Sequence, residues 1–295
     1  MTHEEWVKRD ADVVWHGFTQ MDAFARNSPI IVETAEGREL IDVDGRHYLD
    51  AISSLWVTTL GHRVPELDDA IQQQLARGAH STMLGNGNRI VVELSEALAA
   101  VVPVDSPHFL YASDGASAVE QALKIAFQYW VNRGVEGHTT FLAFGGAYHG
   151  DTIGALSVGD DLGARTLYHG HSYGGNALAA AVALRHLELI DAWDVLANVR
   201  ERSEELEGLL HDRIAPMQAV KEVRLRGLMG AVELDPPADG LRWGRRISAA
   251  AVERGVLLRS IGDNVTLMPP LTITSEELHR IVHALGAGID EVTQP

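Results

Sequence analysis

Between Phe109 and Val158 the chain alternates short apolar runs, a glycine turn and one long amphipathic stretch, and this restricts it to an α/β arrangement. Phe109–Ala112 reads as a strand, and a helix follows from Ala116 to Arg133. Thr140–Phe144 and Ile153–Val158 read as two more strands. The helix carries Val119, Leu123, Ala126 and Trp130 at the spacing of a buried stripe. Strands this apolar, joined through a helix, predict a mostly parallel sheet with helices against it.

The flanking segments predict further elements. Val13–Asn27 reads as an irregular arm. Ile30–Glu33 and Leu40–Val43 alternate like a hairpin, with an Asp44-Gly45 turn before Tyr48-Leu49. Helices are expected from Pro65 to Leu75, Asn88 to Val101, Asn176 to Leu189 and Val195 to Leu210. The tail changes character to α+β. Strands are expected at Val220–Arg226, Met229–Leu234, Val256–Arg259 and Val265–Met268, with helices at Leu241–Glu253 and Glu276–Leu285. Thr274 and Glu277 stand at capping-box spacing for the last helix.

Composition narrows the function classes. Hydrophobic residues make up 46% of the 295, which excludes a disordered chain. With 41 acidic against 24 basic residues the net charge is -17, which argues against nucleic-acid or anionic-membrane partners. There is no cysteine, so disulfides, thiolate catalysis and Cys-ligated zinc are excluded. No uncharged apolar run has membrane-spanning length, and the expected location is the cytoplasm.

Three glycine-bearing turns are candidate sites. Ser113–Ser117 joins a strand to a helix, where the amides of Gly115 and Ala116 can hold a phosphate without a basic side chain. Taken alone, such a turn is more often ordinary architecture. Gly145–Thr152 follows the next strand, and its Tyr148 can stack on a planar ring. Leu167–Asn176 is another turn leading into a helix, with the Ser172 hydroxyl and amide available to an anion. Arg259 ends the run VLLR, suited either to a bidentate carboxylate clamp or to a surface salt bridge. Trp56 can line a pocket. His62, His149, His169 and His171 lack the spacing of a tetrahedral site, so no metal is expected.

Taken in order, six segments carry a resemblance: Val13–Met21, Tyr48–His62, Tyr111–Trp130, Phe141–Asp160, Leu167–Ala181 and Val265–Thr274. Together they closely resemble the class III aminotransferases, which depend on pyridoxal 5'-phosphate (PLP). The similarity is greatest to the branch that moves an amino group from S-adenosylmethionine to 8-amino-7-oxononanoate in biotin biosynthesis. The resemblance implies a shortened fold-type I α/β transferase working as a homodimer. Residues 1–60 would be an arm and small-domain segment, 61–194 an incomplete PLP-binding domain, and 195–295 a C-terminal α+β domain. It also implies that Gly115 and Ala116 hold the cofactor phosphate, that Tyr148 stacks on its ring, and that Ser172 reaches the phosphate of the neighbouring subunit. Phe18 and Trp56 would line the substrate pocket, and Arg259 would meet the keto-acid carboxylate.

One departure is large. The family's central stretch bears the cofactor-binding lysine and the aspartate that pairs with the pyridine nitrogen. Here Ser157-Val158-Gly159-Asp160 runs directly into Asp161-Leu162-Gly163. The chain has only Lys8, Lys124 and Lys221, none at a matching position. With no catalytic residue assignable, the chain is expected to be inactive alone. Two further readings stand beside this one: a non-catalytic PLP- or phosphate-binding remnant or dimer partner, and another class III ω-aminotransferase.

Overall fold

Helix α1 (His3–Val13) starts on a reciprocal cap, in which Thr2 Oγ1 accepts from the Glu5 amide and the Glu5 carboxylate accepts from the Thr2 amide. The computed structural model describes residues 1–16, 19–27, 29–83, 86–145, 147–159, 177–238 and 241–293. They fall into two units, Met1–Pro65 with Leu189–Pro295, and Glu66–Glu188. The expected irregular arm is partly ordered: α1 runs into it, and two 3-10 turns follow at Met21–Ala23 and Ala25–Asn27.

Strands β1 (Val32–Glu36), β2 (Glu39–Asp42) and β3 (His47–Asp50) form the antiparallel meander that the alternation predicts. Asp42 closes its second turn by accepting from the Asp44 and Arg46 amides at 2.9 Å each. A one-turn helix, α2 (Ser53–Trp56), follows at once.

The unit Glu66–Glu188 is helical: α3 (Pro65–Arg77), α4 (Arg89–Ala99), α5 (Gly115–Asn132), α6 (Ile153–Ser157) and α7 (Ala177–Ala192), whose ends cross the unit boundaries. Asn88 caps α4 by accepting from the Val91 amide. A small core of Val91 and Leu94 gathers Met83, Leu98, Tyr111, Leu184 and Leu187 around it.

Here three expectations are corrected. Residues 109–112 and 140–144 belong to no strand, and 153–157 is helix. A strand exists only where a neighbour takes its N–H and C=O groups. Among the described residues of this unit no such neighbour is supplied. Ile153–Ser157 coils because Thr152 accepts from the Ala155 amide and so caps a helical turn. The stripe on α5 is not buried either: Val119, Leu123 and Trp130 are half-covered, and Ala126 is exposed.

After α7 come α8 (Val195–Arg213), β4 (Val220–Arg226), β5 (Met229–Leu234), α9 (Trp243–Val252), β6 (Val256–Leu257), β7 (Arg259–Ile261), β8 (Asn264–Leu267) and α10 (Ser275–Thr293). One sheet has the order β1-β2-β3-β6 and the other β4-β5-β8-β7. The expected strand Val256–Arg259 is divided at Leu258. Its first half pairs parallel with β3, and its second half pairs antiparallel with β8. The core joins Leu49 to Leu206, Leu210, Val232, Ile247, Val265, Leu278, Ile281 and Leu285, all nearly inaccessible. The Thr274–Glu277 cap forms as expected, and Glu277 also accepts from Arg38 Nε. Among the described residues no helix is long and apolar enough to cross a membrane.

Candidate functional site

The strongest candidate is the start of α5. Asp114 is its N-cap, accepting from the Ser117 amide at 2.7 Å and from the Ser117 and Ser113 hydroxyls. The first backbone bond of the helix runs from the Ala118 amide to the Asp114 carbonyl. Among the described residues, no hydrogen-bond acceptor is found for the amides of Gly115 and Ala116. Two donors therefore remain at the positive end of an 18-residue helix dipole. A side chain built on Gly115 would meet nothing within 4 Å, so this glycine fills no packing need and leaves space in front of those amides.

The segment 147–152 meets the same turn at Gly150. A Cβ on Gly150 would lie 2.5 Å from Ala116 Cβ and 2.6 Å from Ala116 Cα, and its φ of +122° is one that glycine tolerates. Tyr148, two residues earlier, is exposed, and its hydroxyl donates to Asp151 at 2.9 Å. That hydrogen bond, together with burial and the Asp151 charge, raises its pKa above the ordinary phenol value. Glu120 on the second turn of α5 fixes the far end of the segment by accepting from the Gly154 and Ala155 amides at 2.8 and 3.3 Å. Gly150 thus lies against Ala116, and Tyr148 stands two residues before that contact. Glu120 and Gly150 went unseen in the sequence as its organisers, because their partners lie 34 residues away.

Phe18 and Ser172 lie outside the described residues. Trp56 and Arg259 lie in the other unit, both attached to the β8 segment. Arg259 is half-buried and pairs with Thr266, whose hydroxyl donates to the Arg259 carbonyl at 3.0 Å. The Trp56 segment hangs from Met268, whose carbonyl accepts from Ser53 Oγ at 2.7 Å and whose amide donates to the Ala51 carbonyl.

Ser53, Ser54, Leu55 and Trp56 have φ of +49°, +46°, +70° and +73°, so α2 is a left-handed turn of non-glycine residues. Each costs about 1–2 kcal/mol relative to right-handed backbone. Asp50 offsets that cost. Fully buried, it accepts from the Ile52 and Ser54 amides, from Ser54 Oγ at 2.7 Å and from His62 Nε2 at 2.9 Å. Burial pushes its carboxyl up, but the bonds from His62 and Ser54 outweigh burial and hold it below the ordinary aspartate value.

The three lysines are all described. Lys8 lies in α1, and Lys221 on β4 donates to Glu233 at 2.6 Å. Lys124 lies nine residues beyond Gly115 on α5. That is about 13 Å along the axis and roughly half a turn round from it. The start of α5 can therefore hold a phosphate-sized anion, and the one lysine of its own unit, Lys124, is displaced from it along and around the helix. Among the described residues no cluster of metal-ligating side chains occurs.

Comparison with known proteins gives consistent matches. The family model described as Aminotransferase class-III matches residues 21–167 and 162–289. The adenosylmethionine-8-amino-7-oxononanoate aminotransferase of Nitratidesulfovibrio vulgaris is 29% identical over 442 aligned positions, covering 97% of this chain and 81% of its own. The enzyme of that name from Staphylococcus aureus is 41% identical over 159 positions, 53% of this chain and 35% of its own. The crystal structure of the Methanocaldococcus jannaschii enzyme of that name superposes with a TM-score of 0.92 at 25% identity, covering 98% of this chain and 99% of that one. A PMP-bound aminotransferase from Vibrio fluvialis shares the fold, with a TM-score of 0.90 at 19% identity over 97% and 98% of the two chains.

Proposed function

We propose the function that follows from one premise: this chain belongs to the class III aminotransferases. The family is PLP-dependent, and the fold is its fold-type I α/β architecture. The reaction proposed for the lineage is transfer of an amino group from S-adenosylmethionine to 8-amino-7-oxononanoate, supported by relatives carrying those two names. When bound, PLP supplies the electron sink that such a transfer needs.

The residues present fit one end of that cofactor. The amides of Gly115 and Ala116 would hold its phosphate, in the space that the missing Gly115 side chain leaves. Tyr148 would lie against its ring. Ser172 would reach the phosphate of a second copy, which makes the site a property of a homodimer. On the substrate side, Trp56 and Phe18 would line the pocket, and Arg259 would take the carboxylate of the keto acid.

The other end does not fit. The one lysine of that unit, Lys124, lies about 13 Å along α5 from the cradle, and the chain has no lysine in the sequence position that receives the cofactor aldehyde and moves a proton between substrate carbons. The chain by itself is therefore a reversible PLP binder without turnover. The observation that carries this reading is the pairing of a donor-bearing α5 terminus, closed by Gly150, with Lys124 on the opposite side of the same helix.

The test is a PLP titration of the purified protein followed by a transamination assay with S-adenosylmethionine and 8-amino-7-oxononanoate. Saturable cofactor binding without diaminononanoate formation is expected. Absence of PLP binding overturns the cofactor assignment, and turnover overturns the assignment of inactivity.

A further inference from the structure

The turn Ser53–Trp56 is a costly way to redirect a chain. Four successive non-glycine residues hold positive φ, and the fully buried carboxylate of Asp50 lies beneath them. What the turn carries outward is apolar: Leu55, Trp56 and Val57 are 42%, 40% and 74% exposed. A turn that served packing would bury these side chains, and one that only reversed the chain would need neither the strain nor the buried charge. Backbone strain held in place by its surroundings clusters at binding sites.

What holds the strain begins outside the turn. The Asp50 amide donates to the Arg38 carbonyl at 2.9 Å and the His62 amide to the Gly37 carbonyl at 2.6 Å, so Asp50 and His62 hang from adjacent residues between β1 and β2. Gly61 permits that approach: a Cβ there would lie 2.5 Å from the Gly37 oxygen, and its φ is +101°. From this anchor His62, its side chain only 12% exposed, reaches Asp50 Oδ2 through Nε2 at 2.9 Å. The same Oδ2 accepts from Ser54 Oγ, while Oδ1 accepts from the Ile52 and Ser54 amides. His62 thus fixes the carboxylate on which the turn is wound.

We propose that His62 is a positioning residue for the substrate side of the site. Acting through Asp50, it holds the turn that presents Leu55 and Trp56, and these two would take the aliphatic chain of 8-amino-7-oxononanoate. This rests on the pocket role proposed above for Trp56.

The test uses the full chain labelled with 5-fluorotryptophan, with resonances assigned by Trp56→Phe and Trp243→Phe. Trp243, buried in the core of the same unit, is the control. Two substitutions carry one amide group at different reach: the side-chain nitrogen of Gln falls where His62 Nε2 lies, and that of Asn stops a methylene short. In His62→Asn the Trp56 resonance should move while that of Trp243 stays. In His62→Gln both should stay within a linewidth of the parent. Adding 8-amino-7-oxononanoate to the parent should move the Trp56 resonance saturably, with a dissociation constant about ten-fold higher in His62→Asn than in His62→Gln. A Trp56 resonance that stays in His62→Asn, or moves in His62→Gln, overturns the positioning role. Joint movement of Trp56 and Trp243 overturns it too, since that is a general loosening. A parent whose Trp56 ignores the ligand, with the variants otherwise as expected, overturns the pocket role of Trp56 and with it the substrate half of the inference.

Discussion

Gly150 rests on Ala116 so closely that a methyl group added to the glycine would lie 2.5 Å from the alanine Cβ. This approach joins the Tyr148 segment to the start of α5. It makes the candidate cradle one object instead of two neighbouring loops.

Replacing Gly150 by alanine therefore both overlaps Ala116 and forces a side chain into φ of +122°. The backbone alone costs about 1–2 kcal/mol, and the overlap adds to it. The segment should move off α5, raising the PLP dissociation constant at least ten-fold in an absorbance titration. An unchanged constant would remove Tyr148 and its loop from the site.

Glu120 gives a second handle. Its carboxylate accepts from the amides of Gly154 and Ala155, so Glu120→Ala leaves the Gly154 amide without an acceptor and the Ala155 amide with only its bond to Thr152. A loss of about 1–3 kcal/mol is expected locally. Hydrogen exchange at Gly154 and Ala155 should accelerate ten-fold or more, whereas Glu120→Gln, which keeps an acceptor oxygen, should retain most of the protection.

Asp114 and a bound phosphate compete for the same helix terminus, since both are anionic. Asparagine caps helices as well as aspartate does but carries no charge. Asp114→Asn should leave α5 intact by circular dichroism and tighten PLP binding about three- to ten-fold at low salt. The gain should shrink as salt screens the charge.

The left-handed turn that carries Trp56 should be acid-labile. Asp50 has a folded-state pKa below its unfolded value of 3.8. Its contribution is therefore complete above about pH 4 and is lost as pH falls through the folded value. Asp50→Asn should lower stability at pH 7 by about 2 kcal/mol in urea unfolding. The gap between variant and parent should narrow as pH falls below about 4 and through the folded value. A constant gap across that range would show that the carboxylate charge is not what holds Ser53–Trp56.

Local chemistry was legible in the sequence, and pairing was not. The bounds of β4 and β5 and the Thr274–Glu277 cap follow from residues within a few positions of each other, where alternation and capping act. Phe109–Ala112 and Thr140–Phe144 have strand composition, but a strand also needs a neighbour, and periodicity cannot report whether the chain supplies one. The site divides the same way. That a helix opens at Gly115 and Ala116 was readable from the turn before it. Gly150 on Ala116, Glu120 on Gly154, and Asp50 beneath the Trp56 turn depend on contacts that only folding creates. The Asp50–His62 bond had a faint signal in a polar residue at each end of an apolar loop.

The start of α5 is proposed as a PLP cradle without its lysine, and this assignment has a direct chemical readout. It is tested most directly by borohydride reduction of the PLP-saturated protein, followed by peptide mass mapping. Binding should be reversible, with no stoichiometric pyridoxyl adduct on Lys8, Lys124 or Lys221. A stoichiometric adduct on one of them, with Lys124 the one on α5, would contradict it and show that the chain has recruited a substitute amine.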